Sequence, residues 1–297
     1  MNVDQSTVAR VLRMDEVIPA VETALADFSA GRVVQPVRTV VPVEPAAGFL
    51  GVMPAYTGSA LGAKLVAFYP RNIGIPTHHA IIQLFRPETG EPLVTMDGTL
   101  ITEVRTAAAS AVATKYLARP DASVLAILGS GVQARSHLEA LRLVRQFREV
   151  RVWSPRNAAA FTREHGVEAA ASAEDAVRGA DVIVTATTSQ VPILFGEWVS
   201  PGTHVNAVGA TRPDWRELDD TLVREGRTWV DSLAAARQES GDVLAAGEDR
   251  LAGEIGQIIN GTIPGRQSPD EITIFKSLGI AVEDVATAAL VWQKLSS

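Results

Sequence analysis

The stretch Val124-Leu125-Ala126-Ile127-Leu128-Gly129-Ser130-Gly131-Val132-Gln133-Ala134 decides the fold. Five apolar residues read as a buried strand. They run into Gly-x-Gly-x-x-Ala and then into a helical pattern. In such a turn Gly129 permits the tight bend, Gly131 lets the backbone approach a pyrophosphate, and Ala134 is small enough for close helix–strand packing. Val132 and Gln133, first in the helix, bring unpaired N–H groups and a partial positive charge to the phosphates. A Gly-x-Gly by itself is often an ordinary turn. Its place between a buried strand and a helix makes it a dinucleotide site.

The same rhythm continues downstream. Glu149–Trp153, Asp181–Thr185, Val205–Val208 and Thr228–Val230 read as strands, and 131–147 and Asn157–Glu164 as helices. Strands alternating with helices predict an α/β fold with a doubly wound parallel sheet. Upstream the texture differs. Asp15–Gly31 has helical spacing, with Asp15 as a candidate N-cap and Gly31 as a stop. Short β-rich runs follow at Val37–Val43, Leu65–Tyr69, Ala80–Phe85 and Leu93–Met96, and Glu88–Pro92 reads as a hairpin turn. These predict a small, largely antiparallel sheet. An Ala-rich helix begins at Ile101 and stops before Pro120-Asp121, and Val282–Leu295 reads as an amphipathic helix able to pack on either domain.

With 297 residues, 46% of them hydrophobic, the chain has enough material for about two domains, each with its own core. No apolar run approaches the ~18 residues of a membrane span. The first residues lack the basic and apolar regions of a secretory signal, so a cytoplasmic location is the expectation. A net charge of -7 argues against a nucleic-acid footprint. There is no Cys, hence no disulfide frame or thiol nucleophile. No zinc-type spacing of His and carboxylates appears, and no metal is expected.

The second strand of the α/β half ends in Ser154-Pro155-Arg156-Asn157. A carboxylate there would bond a ribose 2′-hydroxyl, as NAD sites commonly do. Ser154 and Asn157 can instead hydrogen-bond a 2′-phosphate, and Arg156 can neutralise it. The competing reading of Arg156 is a solvated loop charge. On this basis NADPH is the expected cofactor. Thr187, beyond the strand 181–185, should border the cofactor or be a plain polar loop residue.

Three cations are embedded in apolar surroundings upstream: Arg38, Lys64 and Arg105. Buried charge is costly unless paired. Either an internal salt bridge or an anionic ligand would pair them, and the spacing alone does not choose. Of the adjacent pair His78-His79, one could make a polar contact to nicotinamide or substrate, because neighbours on a strand face opposite sides. His137 and His204 read as structural.

Several separate segments now add up. Met53-Pro54-Ala55-Tyr56, the Lys64 strand, Met96-Asp97-Gly98, Arg105-Thr106-Ala107-Ala108-Ala109, the Gly129 turn, Val208 to Glu217 and Phe275-Lys276-Ser277-Leu278-Gly279 occur in one order. In these the chain resembles the ornithine cyclodeaminase/mu-crystallin family over essentially its whole length. The resemblance implies residues 1–115, joined by a C-terminal helix 280–297, as a substrate-binding and dimerisation domain. It implies 116–279 as a Rossmann domain for NADP, and a homodimer. It also implies that Arg38, Lys64 and Arg105 clamp the carboxylate of an amino or imino acid, with Met53 and Thr211 lining the substrate. Thr77, His78, Arg105, Thr106, Val208 and Ser277 would approach the cofactor. Glu239 matches a family position and joins Lys64 and Arg105 as a catalytic candidate, against the reading of a surface carboxylate at a helix end.

The departures bear on activity. The resemblance implies a glutamate at the place of Gly51 in cyclodeaminases, an aspartate at Thr211 in cyclodeaminases and alanine dehydrogenases, and an acidic residue near Ser154–Arg156 where bound NAD is recycled. All three differ here. The chain is closer to the imine-reducing branch, which implies an NADPH-dependent reductase of 2-imino acids. Ornithine cyclodeaminase and a non-catalytic, NADPH-linked binder of iodothyronine-like molecules are the alternatives. The proton source could be Lys64, Glu239, or water through His78.

Overall fold

The computed structural model describes residues 1–296. In chain order the elements are β1 (Asn2–Val3), α1 (Gln5–Val11), α2 (Met14–Ser29), β2 (Thr39–Val43), β3 (Gly48–Tyr56), β4 (Leu61–Phe68), β5 (His78–Phe85), β6 (Pro92–Asp97) and α3 (Thr99–Leu117). There follow β7 (Val124–Leu128), α4 (Val132–Val144), β8 (Glu149–Trp153), α5 (Ala158–His165), β9 (Glu168–Ala169), α6 (Ala173–Val177), β10 (Val182–Thr185) and β11 (His204–Ala207). The rest are α7 (Asp220–Glu225), β12 (Arg227–Val230), α8 (Leu233–Glu239), α9 (Gly241–Ala246), β13 (Leu251–Glu254), α10 (Ile255–Ile259), β14 (Thr273–Lys276) and α11 (Ala281–Ser296).

Two compact units result. One is Met1–Ala108 with the segment from Gly279 onward, and the other is Ala109–Leu278. The resemblance implies a first border at 115/116. In the structure it falls inside α3, a continuous helix with no break to mark it. The last position of the expected segment 280–297 lies outside the described residues.

The first unit holds a six-stranded sheet in the order β1-β6-β5-β4-β3-β2, antiparallel except for β1 beside β6. Helix α11 packs on α2 and on strands β3, β4 and β5. On those strands Met53, Ala55, Val66, Ile82 and Leu84 are buried. Strand β3 was not anticipated, because Gly48, Gly51 and Pro54 read as breakers. Pro54 is tolerated because the β2 ladder ends at Val52, so its missing N–H costs no bond there. Asp15 is not the N-cap of α2: Arg13 holds that place, and Asp15 sits in the first turn. There its charge still favours the helix dipole. The hairpin at 88–92 joins β5 to β6, with Arg86 N–H donating to Glu91 O at 2.8 Å.

The second unit holds an eight-stranded parallel sheet in the order β13-β12-β14-β11-β10-β7-β8-β9. Chain order reverses between β7 and β10, where an open parallel sheet leaves a crevice beyond its carboxyl ends. Its core includes Leu128, Ile183, Val205 and Ile274. Helix α4 ends at Val144, three residues before the expected Phe147. Among the described residues, no helix is long and apolar enough to cross a membrane.

Candidate active site

In the first unit, alternation along β4 carries Lys64 to the buried face. Its register partners are Met53 on β3 and Ile82 on β5, both buried. Lys64 is 2% exposed, and α11 supplies the carboxylates that make this tenable. Lys64 Nζ lies 2.6 Å from Asp284 Oδ2. The other oxygen of Asp284 accepts from Arg105 Nε at 2.9 Å, and Arg105 Nη1 donates to Glu283 at 2.7 Å. Glu283 and Asp284 are fully buried. Arg38 joins from before β2, donating from Nη2 to the carbonyl of Gly279 at 2.9 Å.

Burial pushes Lys64 down to about 8, helped by Arg105 and Arg38 and opposed by Asp284. Burial, then Lys64 and Arg105, push His78 down to about 4, so it is neutral at ordinary pH. Burial also acts downward on Arg105, but Asp284 and Glu283 together outweigh it and raise it. Burial acts upward on Asp284, and Arg105 and Lys64 prevail to hold it below the usual carboxylate range. Buried ion pairs contribute little net stability after desolvation. A dense set of perturbed charges on an otherwise apolar face therefore points to ligand chemistry.

Met53, Lys64 and Arg105 are thus in one place, with Arg38 beside them. Thr106 uses its hydroxyl within α3, donating to Thr102 O at 2.6 Å. Thr77 is exposed just ahead of β5 and its carbonyl accepts from Tyr69 N–H. Thr211 and Glu239 belong to the second unit, Thr211 after β11 and Glu239 as the last residue of α8.

In the second unit the Gly turn is built for a close ligand. Gly129 has φ +128°, and a Cβ there would lie 2.4 Å from Ala186 O. Gly131, the N-cap of α4, has open space where a Cβ would be. Val132 is exposed, and Gln133 Oε1 is buried with no hydrogen-bond partner among the described residues. A helix N-terminus with open backbone and an unsatisfied acceptor fits a dinucleotide. Ser154 Oγ bonds Ser130 Oγ at 2.8 Å and accepts from Asn157 N–H at 3.3 Å, and Arg156 is exposed beside them. Val208 and Ser277 are buried and tied by their N–H groups to Thr185 O and Ala207 O.

The carboxyl edge of this sheet is pinned by a residue for which no role was expected. Glu217, fully buried, accepts from Thr185 Oγ1 (2.9 Å), Thr187 N–H (2.8 Å), Thr187 Oγ1 (2.7 Å) and Gly209 N–H (2.7 Å). Burial pushes its carboxyl up, while Lys276 and the Thr187 donors act downward. Asp242 accepts from Glu217 and Leu218 N–H groups and sits 3.1 Å from Lys276. The hydroxyl of Thr187 is thus turned to Glu217. Glu283 and Asp284 were also missed. The one hint of their burial was their place within the apolar run Ala281-Val282 and Val285-Ala286.

The model of the ornithine cyclodeaminase/mu-crystallin family matches residues 1–297. The ketimine reductase mu-crystallin of Mus musculus is 53% identical over 94% of this chain and 92% of its own length. The structure of Thermococcus litoralis Delta(1)-pyrroline-2-carboxylate reductase in complex with NADH and L-proline matches with a TM-score of 0.96 and 39% identity, covering 100% of this chain and 97% of the other. An archaeal alanine dehydrogenase dimer with bound NAD matches with a TM-score of 0.95 and 38% identity, covering 100% and 96%. The chain belongs to the ornithine cyclodeaminase/mu-crystallin family.

Proposed function

We propose that the chain is an NADPH-dependent reductase of 2-imino acids: cyclic ketimines such as pyrroline- or piperideine-2-carboxylate, or imines formed from 2-oxo acids and amines. The observation that carries this is the buried cluster of Lys64 and Arg105 on Asp284 and Glu283, with Arg38 beside it. These cations suit a substrate carboxylate, and fixing it orients the C=N carbon for attack. In the second unit, Gly129, Gly131, Val132 and Gln133 would hold the pyrophosphate, and Ser154, Arg156 and Asn157 the 2′-phosphate. When bound, the cofactor supplies hydride. Relatives named for ketimine and pyrroline-2-carboxylate reduction support the reading.

Gly51 disfavours cyclodeaminase chemistry. It lies two residues from Met53 on the buried face of β3, where a Cβ would already sit 3.0 Å from Val66. Thr211 likewise offers no carboxylate for an amine. The deciding experiment follows NADPH and NADH oxidation with pyrroline-2-carboxylate, piperideine-2-carboxylate, and pyruvate plus methylamine. NADPH consumption with at least one of them is expected. Ammonia release from ornithine with catalytic NAD, and no imine reduction, overturns the proposal.

We also propose a homodimer through the first unit. On the other face of its sheet Val41, Leu50, Leu65 and Ile81 are exposed, and the register sets Val41 beside Leu50 and Leu65 beside Ile81. An uncovered apolar sheet face of this kind marks an association surface. The dimeric alanine dehydrogenase relative supports a second copy as its occupant. Sedimentation as a monomer at micromolar concentration overturns this.

A further inference from the structure

Asp284 joins the two cations. One of its oxygens is 2.6 Å from Lys64 Nζ and the other accepts from Arg105 Nε at 2.9 Å. It is fully buried, so these contacts rather than water compensate its charge. Arg105 has a second carboxylate in Glu283 at 2.7 Å. For Lys64, Asp284 is the carboxylate within ion-pair reach among the described residues. The other groups that face Lys64 push against its charge or leave it unopposed. Arg105 on α3 and Arg38 ahead of β2 repel it, His78 on β5 is neutral, and Met53 and Ile82 beside it are apolar.

We propose that Asp284 is a positioning residue that holds Lys64 as the ammonium that protonates the imine nitrogen during reduction. This rests on the reductase reading above. In the step, a proton leaves Lys64 Nζ and forms an N–H bond at the imine nitrogen. Hydride from the reduced nicotinamide cofactor adds to the imine carbon. The C=N π pair becomes the nitrogen lone pair that takes the proton, the cofactor is oxidised, and the amine product leaves with its carboxylate. Lys64, now neutral, regains its proton from solvent. Asp284 gains and loses no bond; its charge keeps the ammonium in place between turnovers.

The asymmetry between Lys64 and Arg105 makes this testable. Asp284→Asn keeps the shape, leaves Arg105 on Glu283, and removes the counter-charge of Lys64. Burial and the two guanidinium groups then act on Lys64 unopposed. Its proton is lost at lower pH.

The test measures kcat/KM for pyrroline-2-carboxylate against pH at saturating NADPH, for the wild type, D284N and D284E. In parallel, calorimetry follows binding of pyrrole-2-carboxylate, a carboxylate whose ring nitrogen does not titrate in this range. The alkaline limb in D284N is expected to move to lower pH by about one unit or more, and D284E, which restores the charge, to bring it back toward the wild type. A purely structural role for Asp284 would lower activity at every pH and leave the limb in place, and that result overturns the proposal. If D284N does not fold, a D284E limb displaced as far as loss of the charge predicts overturns it too. The binding arm needs no chemistry. A limb that shifts there, while no imine is reduced, retains the role of Asp284 in holding the Lys64 charge and rejects only the reductase reading.

Discussion

A Cβ on Gly279 would lie 2.5 Å from Nη1 of Arg105. The same residue offers its carbonyl to Arg38 Nη2 and has φ +76°. One glycine therefore sets the spacing of two guanidinium groups, accepting from one and leaving room for the other. Gly279→Ala should disturb both. The left-handed backbone costs a non-glycine residue about 1–2 kcal/mol. The methyl group must also displace a guanidinium that two carboxylates hold. The expected result is a fall of several degrees in Tm and a KM for imino acid raised about tenfold or more, with NADPH affinity unchanged. Steady-state kinetics with each substrate varied in turn checks it. A variant with normal KM would mean that Arg38 and Arg105 do not act through this spacing.

The wild-type pH profile follows from Lys64. Its proton is lost near pH about 8, so the protonated form prevails below that value and disappears above it. If the ammonium is required, kcat/KM should hold on the acid side and fall as pH rises through about 8. His78, held down to about 4, should add no inflection near neutrality. Lys64→Met should abolish the limb and lower kcat/KM by orders of magnitude. Near-normal turnover in that variant would remove Lys64 from the chemistry.

On the proposed reading, the loop after β8 sets the choice of cofactor. Arg156 is exposed, and Ser154 and Asn157 stand beside it. A charge-assisted bond to a 2′-phosphate is worth about 1.5–3 kcal/mol. Arg156→Ala should therefore raise KM for NADPH roughly ten- to hundredfold and leave KM for NADH unchanged. The ratio of kcat/KM for the two cofactors reads this out. Equal efficiency with both in the wild type would already reject the assignment.

The parallel half was open to reading because its signals are local. Val124–Leu128 and Glu149–Trp153 are apolar runs beside a glycine turn, and their bounds in the structure are those expected. The smaller sheet was less legible. Gly48, Gly51 and Pro54 obey breaker rules locally, and only the end of the β2 ladder shows why they sit in a strand. The cations of the site stood out because charge in an apolar strand is anomalous. Their partners did not: Glu283 and Asp284 lie more than 170 residues away in sequence from Arg105, and no local pattern pairs them with it. Glu217 was hidden for the same reason, since three of its donors come from β10 and the loop after it.

Glu217 gives the last prediction. Its two oxygens accept four hydrogen bonds, all from N–H or O–H groups, on the last residue of β10 and on the loops that follow β10 and β11. Glu217→Gln keeps the volume but sets an NH2 group against donors. Whichever way the amide turns, two of the four bonds meet a donor, and one of the two facing groups is in each orientation a backbone N–H that cannot reverse. Leaving buried donors unsatisfied costs about 1–3 kcal/mol each. The loops affected carry Thr187 and Gly209 at the edge of the sheet where a dinucleotide binds in this fold. E217Q should lower Tm by several degrees and weaken NADPH binding more than carboxylate binding, because the cluster around Lys64 belongs to the other unit. Calorimetry with NADPH and with pyrrole-2-carboxylate separates the two effects. Equal loss for both ligands would mean that Glu217 supports general stability and does not shape the cofactor edge in particular.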